Sequence, residues 1–577
     1  MRIPRRIAAV LASTALLVLV LATPAGAVHY LYTANDDAFG TTSGFTIGSG
    51  SSLTPIPDAT EDADAFPDSA VISPDGKHLY VGSFKLQAYD IAADGSLTPM
   101  AGSPFGNQSF HQLAITPDGS RLYAGGGTSN TIVGFALAAD GTPSALPGSP
   151  YAIGGTFAFG VALTPDGQHL YASGTTSNNL WGFNVNADGS LSPAPGSPIS
   201  TGAGATKPQF IGVAPGGRFL YVANNGTTSV AAFFVNNDGS LSTLVGSPFA
   251  AGSGPWGATV SPDGKHLYVG NQLSGSVSGY AINQGSGQLV SLGAPFAAGA
   301  GTRTIAVTAD GSSVFSANLT GDNVSRYARN SGTGVLTAVP PPQAAGNGAT
   351  GAAITPNQPP NAAFGPTISN SHDVTFTSTT TDPDSPGPIA DYSWDFGDGA
   401  TATGPDTTQT HTYAADGTYD VRLTATDSEG CGPTPVYNGQ MLYCNGGGPA
   451  TLVQPVTVDT VLSGAKFKAK KTQKQKPKKG KVVIKAKAGA AEKVLLTVSS
   501  GKVKVPGAGK VKLKKVPQAD VAAGKLKKLK LKPAGKKGTK QILAAIGAGK
   551  KVKASFTVRL ADDAGNFAEK KLKVTLK

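Results

Sequence analysis

The chain has 577 residues, including 76 Gly and 41 Pro, and only 14% are charged. That length is too great for one ordinary core, and that Gly and Pro content favours short strands joined by tight turns, so all-β modules in series are expected. The formal charge of +12 hides a division: residues 461–577 carry 34 Lys and Arg against five Asp and Glu (+29), residues 28–460 carry 10 against 30 (−20), and the first 27 carry the remaining +3. Such asymmetry points to an anionic partner or a solubilising role for the tail and says little about its fold.

Residues 1–27 read as a secretory signal peptide. Arg2, Arg5 and Arg6 precede an uncharged apolar run from Ile7 to Ala22, and Ala25-Gly26-Ala27 offers a small-residue cleavage site. The alternative is an uncleaved anchor, although the apolar run is short for a full span. No Cys follows the signal, so lipid attachment is not expected, and the mature protein is expected to be secreted or held at the cell surface.

From residue 28 to 357 one pattern recurs: Ser73-Pro-Asp-Gly76, Thr116-Pro-Asp-Gly119, Thr164-Pro-Asp-Gly167, Ala214-Pro-Gly-Gly217, Ser261-Pro-Asp-Gly264, Thr308-Ala-Asp-Gly311 and a degenerate Thr355-Pro-Asn-Gln358. The steps are 43, 48, 50, 47, 47 and 47 residues. In each unit an apolar strand precedes the turn, an aromatic-rich strand such as His78-Leu-Tyr-Val81 follows it, and a third strand and an Asp-Gly turn lead to a short fourth. Each unit therefore reads as a four-stranded antiparallel propeller blade. Six are complete, and a seventh closes if Gly351 to Thr355 pairs with His29 to Thr33 and Ser43 to Ile47. Recurrent Gly-Ser-Pro elements (Gly102 to Phe105, Gly148 to Tyr151, Gly196 to Ile199, Gly246 to Phe249) read as connections between blades.

This repeat resembles the seven-bladed lactonase-like propellers, the family of bacterial 6-phosphogluconolactonase and the fungal carboxymuconate cyclising enzyme. The nearest local match is Gly254 to Val277, which opens Gly-Pro-Trp256-Gly257 and contains Asn271-Gln272-Leu273, where the family segment usually begins Gly-Pro-Arg-His and contains Asn-Glu-Leu. The resemblance implies catalysis by polar residues at the channel mouth. Trp256 stands for the Arg, Gly257 for the His, and Gln272 for the Glu, which removes a carboxylate needed for general-base work. Gln209 stands for a His one blade earlier, and only Arg303 keeps the implied charge.

The residue five before each tetrapeptide should lie where the inner strand enters the channel: Asp68, His111, Phe159, Gln209, Trp256, Arg303 and Thr350. Asp68, His111 and Arg303 are candidates to hold a small anionic or carbohydrate-like ligand, with Trp256 and Phe159 as flat apolar surface. Alternatively, these residues only fill and solvate the mouth. No Ser-His-Asp, metal-ligand or phosphate-cradling pattern stands out, so no catalytic residue, metal or cofactor is assigned.

Residues 359–458 contain Tyr392-Ser-Trp-Asp-Phe-Gly-Asp-Gly399, His411-Thr-Tyr413 and Gly417-Thr-Tyr-Asp-Val-Arg-Leu-Thr-Ala-Thr-Asp427. In this order they closely resemble a PKD domain, an Ig-like sandwich. Trp394 and Phe396 should point inward and Asp395 outward. Calcium at Asp382, Asp384, Asp395 or Asp398 is one reading, although oxygen ligands alone do not establish a site. Cys431 and Cys444, an isolated pair in an exported chain, are expected to form a disulfide around an inserted loop.

Residues 461–577 begin with a basic stretch from Lys466 to Lys487. Strand-like alternation then appears in Lys493 to Val498, Lys502 to Val505, Lys510 to Leu513 and Ala554 to Leu560, and a last strand runs from Lys570 to Leu576. Period-two patterning predicts a small Lys-rich β-sandwich with one face in a core and a cationic face in water. Lys without interleaved aromatics favours an anionic cell-wall polymer or membrane surface over sequence-specific nucleic acid. The alternatives are a purely solubilising face or a contact with the acidic propeller. The leading functional expectation is an extracellular binding or adhesion protein with propeller, PKD spacer and envelope-binding module. The alternative is a lactonase-like hydrolase or isomerase using Arg303 with His111 or Asp68.

Overall fold

The computed structural model describes residues 29–36, 40–63, 66–368, 372–384, 389–458, 464–476, 480–491, 493–562 and 567–577. The signal peptide expected at residues 1–27 lies outside them. No described helix is long and apolar enough to cross a membrane. The described chain is all-β apart from one α-helix and two short 3-10 turns.

The recurring tetrapeptide is a hydrogen-bonded turn. In five copies the first hydroxyl donates to the Asp two residues on, as from Ser73 to Asp75 and from Thr164 to Asp166. The same hydroxyl accepts the backbone N–H five residues on, as from His78 and His169. Gly follows in the left-handed region, at φ 73° for Gly76, where a β-carbon would be strained. Each turn thus reverses the chain from the inner strand to the second strand of its blade.

Seven such sheets form the propeller. Blade 1 takes its inner strand, Ala349–Ile354, from the end of the repeat and pairs it with His29–Asn35, in register from Leu31 opposite Ile354 to Ala34 opposite Gly351, after which a register shift sets Asn35 opposite Ala349. This is the closure read from the sequence, and it removes the two open sheet edges. The inner strands of blades 2 to 7 are Ser69–Ile72, Leu113–Ile115, Ala158–Leu163, Pro208–Val213, Pro255–Val260 and Thr302–Val307. The Gly-Ser-Pro elements are more than connections. Three of them lead into a short fifth strand, such as Phe249–Ala250, which pairs with the start of the third strand while the fourth pairs with its end, and the first makes a single bridge between Phe105 and Leu86.

A buried Tyr on the second strand ties neighbouring blades together. Tyr32, Tyr80, Tyr123, Tyr171, Tyr221 and Tyr268 each donate to a Gly carbonyl in the Asp-Gly or Gly-rich turn of the next blade, at 2.6–2.9 Å. Burial pushes these phenols up, and a buried hydroxyl without a partner would be costly. Blade 7 has Phe315 at this position. There Ser51 of blade 1 makes the contact instead, to Ser313 at 2.8 Å and to the Tyr327 carbonyl at 3.1 Å.

A hairpin from far downstream closes one end of the channel. Val436–Tyr437 and Leu442–Cys444 pair with each other, and the Cys431–Cys444 disulfide ties the base of the segment. The Gly439 and Asn438 carbonyls accept the N–H groups of Leu163 and Val213, the last residues of two inner strands. Tyr437 and Tyr443 donate to the carbonyls of Ile115 and Val260 at 2.8 and 2.6 Å, and the Gln440 amide donates to Ile211. Backbone groups that would face an open drain are thereby satisfied.

The PKD-like region forms two sheets, one of Phe364–Ile368, Asp373–Ser378 and Thr408–Thr412, the other of Thr401–Gly404, Ile389–Asp395, Gly417–Asp427 and Thr451–Val458. Trp394 and Phe396 are buried with parallel rings 6.4 Å apart, Asp395 is exposed, and Tyr413 donates to the Phe396 carbonyl at 2.9 Å.

The Lys-rich region also has two sheets. One joins Lys466–Lys468, Ile484–Gly489 and Lys527–Leu531. The other joins Thr472–Gln473, Phe567–Leu576, Val552–Ala561, Val494–Val505 and Gly509–Lys512, with Ala519–Val521 beside Val494–Val505. Two expectations change here. The stretch after Lys466 holds strands rather than only a basic leader, and the two strands expected between Lys493 and Val505 are one, with a register shift between Val498 and Ser500. The helix Lys536–Gly547 was not expected. It adds Ile542 and Ala545 to the core, and Gly538 lets it approach closely, since a β-carbon there would lie 2.5 Å from Val511 Cγ1.

Candidate functional site

The inner strands all begin at the end of the channel opposite the hairpin, so the residues at their starts share one mouth. Between the mouth and Gln440 and Met441 the channel narrows to a cavity of about 20 Å³, room for one water. A ligand of any size must therefore sit at the mouth itself.

Three of the expected residues meet there. Asp68 of blade 2 bridges the other two: its Oδ2 is 2.5 Å from His111 Nδ1 of blade 3, and its Oδ1 accepts from Arg303 Nη1 of blade 7 at 3.4 Å. Arg303 also donates to Asp36, at 3.2 Å, a residue of blade 1 that the sequence reading missed. The signal for it was its place just after the strand that closes the ring. Arg303 reaches across blade 1 because that blade presents small Thr350, whose hydroxyl turns away to the Pro67 carbonyl at 2.8 Å.

Aromatic rings complete the circuit. His111 stacks on Phe159 at 4.5 Å, Phe159 meets Trp256 edge-on at 5.5 Å, and the Arg303 guanidinium lies 4.2 Å over the Trp256 ring. Gly127 makes room for the imidazole, because a β-carbon there would fall 2.4 Å from Nε2. The side chains of Asp68 and His111 are each 16% exposed and that of Arg303 10%, so the site is a shallow, partly desolvated cup.

Gln209 and Gln272 stand outside this circuit. Gln209 is buried, and among the described residues its Oε1, Arg303 Nε and Trp256 Nε1 have no hydrogen-bond partner. Gln272 lies at the mouth end of blade 6, but its Oε1 accepts from Asn225 at 3.4 Å instead of meeting Arg303. The four PKD aspartates do not converge. Asp395 and Asp398 hold their own turn, while Asp384 pairs with Asp382, and Asp382 lies near Asp427, whose Oδ1 accepts the Cys431 N–H at 2.8 Å. Burial, then a hydrogen bond that the protonated Asp384 donates to the Asp382 carboxyl, pushes Asp384 up to about 7. Burial, opposed by the Cys431 N–H and reinforced by the Asp382 charge, pushes Asp427 up to about 6. Among the described residues no group of three or more His, Cys, Asp or Glu forms a metal site.

Comparison with known proteins gives the same two modules. Residues 142–253 and 258–350 match the family model for a lactonase, 7-bladed beta-propeller, and residues 357–436 match that for a PKD domain. Among solved structures, a candidate 6-phosphogluconolactonase of Bacteroides uniformis is similar at 20% identity and TM-score 0.51, covering 57% of this chain and 99% of that one. A periplasmic gluconolactonase of Pseudomonas aeruginosa is similar at 18% identity and TM-score 0.50, covering 56% and 98%. At these identities the likeness is one of fold. A microbial collagenase of Vibrio alginolyticus is 40% identical over 97 residues, which is 17% of this chain and only 11% of that protein's length. The PKD domain and the Cys431–Cys444 disulfide are consistent with an extracellular protein.

Proposed function

We propose that the propeller mouth binds a small hydroxylated lactone and opens its ring by hydrolysis, in an exported protein. The observation that carries this reading is the Asp68–His111–Arg303 contact, assembled from blades 2, 3 and 7. Asp68 holds Nδ1 and leaves Nε2 as the base toward a water. The water oxygen attacks the lactone carbonyl carbon, the acyl C–O bond to the ring oxygen breaks, and the proton taken by His111 passes to the leaving alkoxide, releasing a hydroxy acid. Arg303 faces the developing oxyanion, and Phe159 and Trp256 supply apolar surface to the ring. The lactonase match and the gluconolactonase-like fold support the substrate class.

A second reading, ligand binding without turnover as in an adhesion protein, is favoured by the replacements Trp256, Gly257, Gln209 and Gln272. It is also favoured by the pairing of Arg303 with two carboxylates. Acid release from a panel of lactones and sugar lactones, followed by pH-stat on the full chain, separates the two. Turnover abolished in His111→Ala and Arg303→Ala but kept in Gln272→Ala is expected. Binding of the same lactones with no acid release would establish the second reading instead.

A further inference from the structure

We infer that both outer faces of the Lys-rich sandwich form a docking surface for a flexible, linear polyanion of the cell envelope, one that carries an anionic group in every repeat and no bases. On the three-stranded sheet, Lys468, Lys487 and Lys528 lie abreast as direct cross-strand partners, and Lys485 opposes Lys530 in the next row. On the other sheet Lys510, Lys504 and Lys553 lie abreast, and Lys512 opposes Lys502. All ten are exposed, while the alternate residues Ile484, Ala486, Leu529, Leu531, Val503 and Val511 are buried.

Like charges directly opposed across strands destabilise a sheet, and none of these ten has an ion-pair partner among the described residues. Solubility does not require this. A net charge of about 2–8 suffices for a small domain, whereas residues 461–577 carry 34 basic against five acidic residues. The rows repeat roughly every 5 Å across strands and 7 Å along them, a lattice of point charges suited to successive anions on one strand of polymer.

The distribution selects the partner. A planar bilayer can touch one face only, whereas a polymer mesh reaches both. Stacking on bases or insertion into lipid would call for exposed aromatics. The region has three: Phe556 is buried, Phe467 packs on the core, and only Phe567 is exposed, with the Arg559 guanidinium covering one face of its ring at 3.8 Å.

The test titrates the full chain with poly(glycerol phosphate), with anionic phosphatidylglycerol vesicles and with duplex DNA at equal phosphate and a series of salt concentrations. Tightest binding to the polymer is expected, with affinity falling steeply as salt rises. Lys468→Gln/Lys487→Gln/Lys528→Gln should weaken it about tenfold, Lys504→Gln/Lys510→Gln/Lys553→Gln should do likewise, and the three Lys→Arg changes on either face should restore it. Because the substitutions relieve repulsion at exposed sites, melting temperature should hold or rise, which separates lost binding from lost folding. Tighter binding to vesicles or DNA than to the polymer, full affinity in both triple variants, or no binding at low salt would each overturn the inference.

Discussion

The propeller and the Lys-rich sandwich are both built by alternating buried and exposed residues along strands, yet they treat polar groups in opposite ways. In the propeller the recurring buried polar groups have assigned neighbours: a Tyr hydroxyl meets a Gly carbonyl one blade on, and the turn Asp meets the hydroxyl two residues before it. In the sandwich ten lysines stand in rows without ion-pair partners among the described residues. The first arrangement specifies one structure and leaves a small shaped site, whereas the second specifies a sign of charge and a spacing. A contact removed from the propeller should therefore cost stability, and a charge removed from the sandwich should return some.

The largest effect should come from Tyr437→Ala in the channel hairpin, which empties a buried site and orphans the Ile115 carbonyl; a loss of about 3–5 kcal/mol in chemical denaturation is expected. Replacing both cysteines, Cys431→Ser with Cys444→Ser, should cost about 2–4 kcal/mol by freeing the loop in the unfolded chain.

Asp384 gives a pH signature. Its folded value, about 7, lies above the ordinary 3.8, so the stability tied to its protonated form is fully present below pH about 4 and is lost as pH rises through 7. Asp384→Asn keeps an acceptor for the Gln358 N–H and should flatten that decline by a few degrees in melting temperature. Tyr221→Phe should cost about 1 kcal/mol, since it deletes one interblade hydrogen bond and leaves the Gly287 carbonyl short of a donor. Smallest of all, Lys487→Gln should raise stability by a few tenths of a kcal/mol at low salt and by nothing at high salt. Destabilisation by Lys487→Gln, or none in Tyr437→Ala, would erase the contrast between the two regions.

Seven blades are legible in the sequence because the turn is local: Ser or Thr, Asp and Gly at fixed offsets satisfy one another within six residues. The closure is legible because an inner strand with no following partners needs strands from the start of the chain. The hairpin is not legible in that way, because its partners Ile115, Leu163, Val213 and Val260 lie 183 or more residues away for the two Tyr contacts. The only local hint is that Tyr437, Met441, Leu442 and Tyr443 are too apolar for a solvent-exposed insertion. The helix Lys536–Gly547 is hidden by its glycines and by the lack of a side-chain cap. At the mouth, position within the repeat brings out Asp68, His111 and Arg303. It does not tell which ring members touch, because that depends on reach across the small Thr350 of blade 1.

The disulfide at the base of the hairpin also has a mechanical meaning. A pull on the tail reaches residue 444 through the strand Thr451–Val458, and the covalent bond passes the load directly to Cys431 and the strand Gly417–Asp427. Residues 432–443 lie on a slack branch of that path. If the tail is anchored and the rest of the molecule is dragged by flow, tension crosses the base of the stopper without drawing it out of the ring.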